Sequence, residues 1–145
     1  MNGFKAAWIA AITAMSVYFQ EIMIPVCVLC CVMLADYVTG IVKAGIVGEL
    51  NSRTGAVGIA KKIGMLCLVG VGCVIDYLVT ASAGQIGLEW QFNMAFAMLA
   101  TAWLIVNECI SITENLNEIG VPVPGFMQKA LRQAKDKIYE EDEKK

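Results

Sequence analysis

Three carboxylates stand inside otherwise apolar runs: Asp36, Asp76 and Glu108, with Glu114 six residues beyond the last. A charge within a membrane segment costs about 2.5–3.5 kcal/mol on insertion scales, so such groups face protein or water. Three roles compete for them: relaying protons or holding a cation, lining a water-filled pore, or pairing across helices. Asp36 or Glu108 with Lys43 or Lys62 is one such pairing. Asp36, Glu108 and Glu114 fall near the ends of their runs, which favours anchoring and pairing. Asp76 lies thirteen residues past Ile63, deepest in its run, which favours a functional, pore-facing role. Asn107, Glu108, Ser111, Glu114 and Asn115 recur at helical spacing, so one face of the last run is wet.

Other chemistries find no residues. The chain has no His, the usual general base and commonest metal ligand. Cys27, Cys30, Cys31, Cys67, Cys73 and Cys109 all sit in apolar stretches without a partner motif, and read as small hydrophobes. A net charge of −2 leaves no electrostatic footprint for nucleic acid. No catalytic residue, cofactor or metal site is expected.

The elements that must carry these groups follow from hydropathy. The 145 residues are 58% hydrophobic and 17% charged, against roughly 45–50% and 25% in soluble domains. Eleven of the 24 charges fall in the last 20 positions. A water-soluble domain of this size cannot hide so much apolar surface, so the chain is an all-α integral membrane protein. Crossing the hydrocarbon takes about 20 apolar residues. Four hydrophobic helices are expected: 6–19, 22–42, 63–88 and 90–112, the first short enough that three spans is the alternative. Ala7/Ala11 and Ala10/Ala14 give the first a small-residue face for close packing. Trp8, Tyr18, Tyr37, Tyr77 and Trp90 lie near span ends, where amphipathic rings favour the interface.

Lys43, Arg53, Lys61 and Lys62 between the second and third runs, and Lys129, Arg132, Lys135 and Lys137 after the fourth, put both segments in the cytoplasm by the positive-inside rule, with Glu89 outside. Four spans would place the N-terminus inside and three outside. Residues 1–120 form the membrane domain. Gly120 to Gly125, with Pro122 and Pro124, breaks the helix, and 121–145 holds a basic amphipathic surface helix (Met127, Ala130, Leu131, Ala134 and Ile138 on one face) and a charged tail. Asn51 or Ser52 is the expected N-cap of the helix running into the third span. Gly40/Ala44/Gly48 and Ala56/Ala60/Gly64 repeat at four, presenting smooth helical faces.

The blocks Asp36-Tyr37-Val38-Thr39-Gly40-Ile41-Val42-Lys43-Ala44 and Asn51-Ser52-Arg53-Thr54-Gly55-x-x-Gly58-Ile59-x-Lys61-Lys62 resemble the signature of the toxin-secretion/phage-lysis holin family of Gram-positive phages and prophages. The resemblance continues through Asp76, the Asn107–Asn115 stripe and Ile119-Gly120-Val121-Pro122-x-Pro124, covering roughly residues 25–125. It implies a homo-oligomer in the lipid of the bacterial cytoplasmic membrane. At a timed moment that oligomer opens lesions releasing a cell-wall hydrolase (endolysin) or a toxin. By the same resemblance, Asp36, Thr39, Gly40, Lys43, Asn51, Ser52, Arg53, Gly55, Gly58, Lys61 and Lys62 are assembly candidates. Asp76 and Glu108 are the pore-facing candidates, with Asn107, Ser111 and Glu114 on the polar stripe. Two other classes compete: a four-span proton- or cation-coupled transporter, and a non-conducting membrane lysis regulator. Met15 and Met23 are candidate alternative starts.

Overall fold

The computed structural model describes residues 3–87 and 94–133. It holds three long helices, α1 (Gly3–Val47), α2 (Ser52–Gln85) and α3 (Ala95–Glu118), and a shorter α4 at 125–133. Each of the three long helices contains a stretch long and apolar enough to cross a membrane; in α1 it is Gln20–Val47. Glu89 and Trp90, the residues from Ala134 onward and the side chains of Ala10, Ala11, Ala14, Met15 and Tyr18 lie outside the description.

The two N-terminal runs of the sequence are one helix, so the described residues hold three candidate spans, as in the three-span alternative, and not the four expected. Gln20 and Glu21, the only polar pair between those runs, are good helix formers and include no turn residue. Pro25 lies inside α1. Its missing N–H removes one backbone hydrogen bond, which a membrane helix tolerates where neighbouring groups compensate.

True helix ends appear where glycine permits them. Gly48 follows α1 with φ +81°, and Glu49 N–H donates to Ala44 O at 2.9 Å. Gly120 follows α3 with φ +87°, and Val121 N–H donates to Leu116 O at 3.0 Å. Both are glycine-terminated ends in which the next amide reaches back to an orphan carbonyl of the last turn. Between α1 and α2, Asn51 is the N-cap, its Oδ1 accepting from Arg53 N–H at 2.9 Å.

α3 lies between the other two helices, while α1 and α2 barely meet. Ile22 of α1 packs on Met94 and Ala97 at the start of α3, and Lys43 pairs with Glu118 at its end, so α1 and α3 run parallel. α2 runs the other way, with Gly72 against Ala97 and Lys62 against Glu108. The apolar centre is Leu29, Met33, Val69 and Leu104. The exposed surface is itself apolar, including Ile24, Leu34, Ile63, Val71, Val74 and Leu99, as lipid-facing helices require. α4 folds back along the end of α3, where Phe126, Met127, Ala130 and Leu131 share an apolar cleft with Cys109, Ile112 and Leu116.

Gly72 marks the tightest crossing. A Cβ built on it would stand 2.8 Å from Ala97 Cα and 2.9 Å from its nitrogen. One helical turn on, the Asp76 carboxylate accepts from the N–H groups of Phe96 and Ala97 at 3.0 and 2.9 Å. A carboxylate at a helix N-terminus satisfies amides that have no intrahelical partner and meets the positive end of the dipole. The residue preceding α3, Met94, makes no side-chain cap and has φ 54°, so Asp76 supplies that cap from the neighbouring helix. Gly72→Ala should destabilise the protein by about 1–3 kcal/mol, the usual cost of overpacking, read as a lower unfolding midpoint in detergent. Gly70→Ala, where the added Cβ meets nothing, should leave the midpoint unchanged or raised.

Candidate functional site

One layer of the bundle is ionic. Lys62 of α2 donates to Asp36 of α1 (Nζ to Oδ2, 2.9 Å) and to Glu108 of α3, both as salt bridges. Asn115 Nδ2 donates to the other Asp36 oxygen at 3.1 Å and to Thr39 Oγ1 at 3.3 Å. Thr39 Oγ1 in turn donates to the Asp36 carbonyl at 3.0 Å. The side chains of Asp36, Lys62 and Glu108 are 15%, 17% and 5% exposed, which places them within the protein rather than on its lipid face. Among the described residues no buried side-chain nitrogen or oxygen lacks a hydrogen-bond partner.

Local sequence explains how three helices reach one point. Asp36 and Thr39 are three apart in α1, and Glu108 and Asn115 seven apart in α3, so each pair shares a face. Gly40 lies against Asn115 Nδ2, 3.7 Å from where its Cβ would stand, and keeps that amide close to Asp36. Gly55 and Gly58 perform the same service on α2. The Tyr37 hydroxyl lies 3.6 Å from the Cβ position of Gly55, and its ring 4.0 Å from that of Gly58. Small residues let neighbouring helices approach closely where lipid offers no hydrophobic drive for association.

The expected pairing of Asp36 or Glu108 with a lysine is thus realised twice on Lys62, while Lys43 meets Glu118 at 2.7 Å in a more exposed pair. Asp36, Thr39, Gly40, Gly55, Gly58 and Lys62 all lie in or beside the joint between the chain's own helices. Asn51 caps α2 and Ser52 is its first residue; Arg53 and Lys61 are exposed. Asn107 and Ser111 are half-buried, and exposed Glu114 lines a polar notch with Gln128 and Arg132 of α4. Asp76 is buried at the start of α3, at the level of Ala97. Lys62 and Asp76 are fourteen residues apart, roughly 21 Å along α2. The ionic layer and the capped helix end therefore bracket the Leu29–Met33–Val69–Leu104 layer, at equal distances of seven residues from Val69.

Sequence reading missed Tyr37 as the side chain for which Gly55 and Gly58 make room, and Gly72 as the contact beside Asp76. The second had a signal: a glycine four residues before a buried acid occupies the same helical face.

The arrangement clasps three helices together at one layer. No group of three or more candidate metal ligands converges among the described residues, and all six cysteines are free. Between the loop-proximal parts of α1 and α2 a cavity of about 220 Å³ remains, walled by Gly40, Ile41, Ala44, Leu50, Thr54 and Gly58 and floored by Asp36, Lys62 and Asn115.

Known proteins resemble this chain along most of its length. Residues 13–136 match the model of the bacteriophage holin family. An uncharacterized protein of Halalkalibacterium halodurans is 37% identical over 126 residues, covering 86% of this chain and 89% of its own. A probable holin of Bacillus phage phi105 is 31% identical over 98 residues, 68% of this chain and 64% of its own. An uncharacterized 14.9 kDa protein in the nagH 3′ region of Clostridium perfringens is 34% identical over 114 residues, 79% of each chain. No solved structure matches.

Removing Lys62 leaves two carboxylates facing each other in a low-dielectric joint. Lys62→Ala should cost about 3–5 kcal/mol, as breaking a buried ion pair does. The triple replacement Asp36→Asn, Lys62→Met and Glu108→Gln should recover most of that loss, because it strands no charge. Unfolding midpoints of the two variants in detergent check both statements.

Proposed function

The chain belongs to the bacteriophage holin family, and on that premise we propose that it gathers as a homo-oligomer in the bacterial cytoplasmic membrane and opens lesions there. Through them a cell-wall hydrolase made in the cytoplasm, or a toxin, leaves the cell. The observation that carries this reading is the ionic joint of Asp36, Lys62 and Glu108 inside a body of three membrane helices. It gives each protomer a closed, lipid-compatible form and a single cation whose release would open polar faces on all three helices. Asn107, Ser111 and Glu114, half-buried or exposed beside that joint, extend the polar face available to line a lesion once protomers gather.

The positive-inside rule assigns the α1–α2 turn, with Lys43, Arg53, Lys61 and Lys62 at its sides, to the cytoplasm, and α4 with Lys129 and Arg132 to the same side. The up-down-up order of α1, α2 and α3 supports this, since it brings the turn and α4 to one end of the bundle. It also assigns the N-terminus to the opposite side. The chain has no catalytic role in this scheme: hydrolysis belongs to the released enzyme.

The test is induced expression in a bacterium with and without a cytoplasmic cell-wall hydrolase, following optical density and membrane potential. A lag followed by sudden depolarisation is expected, with lysis only when the hydrolase is present. Continued growth at intact potential would refute the proposal. Lys62→Ala should shift the lag by minutes or abolish lysis, while Cys67→Ala, at an exposed lipid-facing position, should leave the lag as it was.

A further inference from the structure

The cavity between α1 and α2 has a chemistry of its own. Its walls are small or apolar, and its floor is the Asp36–Lys62 ion pair with Asn115. Glu49 lies on its lining at the loop end, exposed, and makes no ion pair among the described residues. The groove is therefore narrow and smooth, with its floor charges paired to each other and the Glu49 carboxylate alone carrying net charge at its mouth.

The opposite face of α2 is complementary. Arg53 lies nine residues before Lys62, about 900° of helical rotation, so it projects about 180° away from the ionic joint. It sits at the same loop-end level as Glu49, is exposed, and makes no ion pair among the described residues. Ala56, Ala60 and Gly64 continue that outer face, all exposed, and a Cβ on Gly64 would meet nothing within 4 Å.

We propose that the α1–α2 groove receives the outer face of α2 from a second copy of this chain, with that copy's Arg53 at the Glu49 mouth. The assignment rests on the reading of the chain as a homo-oligomer, and it names the surfaces. Because groove and ridge are different patches, the contact is head-to-tail: each copy that receives a neighbour offers its own α2 to the next. Such contacts make rings or open chains rather than closed pairs. The small residues on both sides let the helices approach closely, the condition for association in a solvent as apolar as their side chains.

The experiment uses two full-length variants in one membrane. Glu49→Arg leaves a basic group on both groove and ridge, and Arg53→Glu leaves an acidic group on both. Each alone should lose assemblies larger than a dimer, measured by chemical cross-linking in membranes and by mass in mild detergent, with helix content and unfolding midpoint unchanged. Co-expressed, they should recover those assemblies, since the two chains can alternate with opposite charges meeting at every interface. Recovery limited to dimers would overturn the head-to-tail contact. Failure to recover, or wild-type assembly by either variant alone, would overturn the pairing of Glu49 with Arg53. A third variant, Ala44→Phe, obstructs the groove without touching charge and should reduce assembly at least tenfold; undiminished assembly would overturn the groove as the receiving surface. If all three variants assemble normally yet lysis with hydrolase persists, the surfaces are wrong while the lesion-forming reading stands. If wild type itself neither assembles nor depolarises cells, that reading fails first.

Discussion

Hydrocarbon cannot solvate a charge, and the architecture follows from that constraint. Lys62 is the one ammonium of the joint, and it stands between carboxylates from the two other helices. Asp36 then has an oxygen left for Asn115, and Thr39 completes the circuit. Loss of α2 would thus strand both carboxylates, while loss of α1 or α3 would leave the lysine with one partner instead of two. The apolar layer of Leu29, Met33, Val69 and Leu104 adds packing but little specificity, because lipid tails are as apolar as leucine. Shape is set instead by two polar fixtures: the lysine joint, and Asp76 on the amides of Phe96 and Ala97.

The two fixtures differ in kind. Asp76 meets backbone amides that cannot move without unwinding α3, and Gly72 presses α2 onto the same turn, so that end of the α2–α3 pair is rigid. The lysine joint is made of side chains alone, two of them long, and α1 enters it with few contacts to α2. The loop end is the looser one, since the groove there separates α1 from α2.

Much of this is legible in the residues. Apolar run length yields α2 and α3, and Asn51 and Gly120 mark ends that the structure places within a residue or two. The acids in the runs point to a polar interior, and Lys62 is among the partners that the sequence offers Asp36 and Glu108. Where a helix fails to stop is not legible. Gln20-Glu21 interrupts hydropathy without interrupting helix propensity, and hydropathy alone cannot separate a hairpin from a long rod. Nor does position along a run reveal depth in the bundle. Asp76 is the deepest acid by its distance from Ile63, yet Lys62 and Asp76 flank Val69 equally, because α2 begins eleven residues before that run.

The rod has a mechanical consequence. About 19 residues of α1, roughly 28 Å of helix, extend past Ile22, the level at which α3 begins. A bilayer with a hydrocarbon core of about 30 Å that wets α3 along its length cannot wet all of α1 as well. The mismatch is met by tilt or by local thickening, each costing a fraction of a kcal/mol per Å. A copy that met the mismatch by thickening would carry an annulus of deformed lipid, and two adjacent copies would share one annulus instead of bearing two. Bilayer elasticity itself would then draw such copies together over distances at which no side chain touches another.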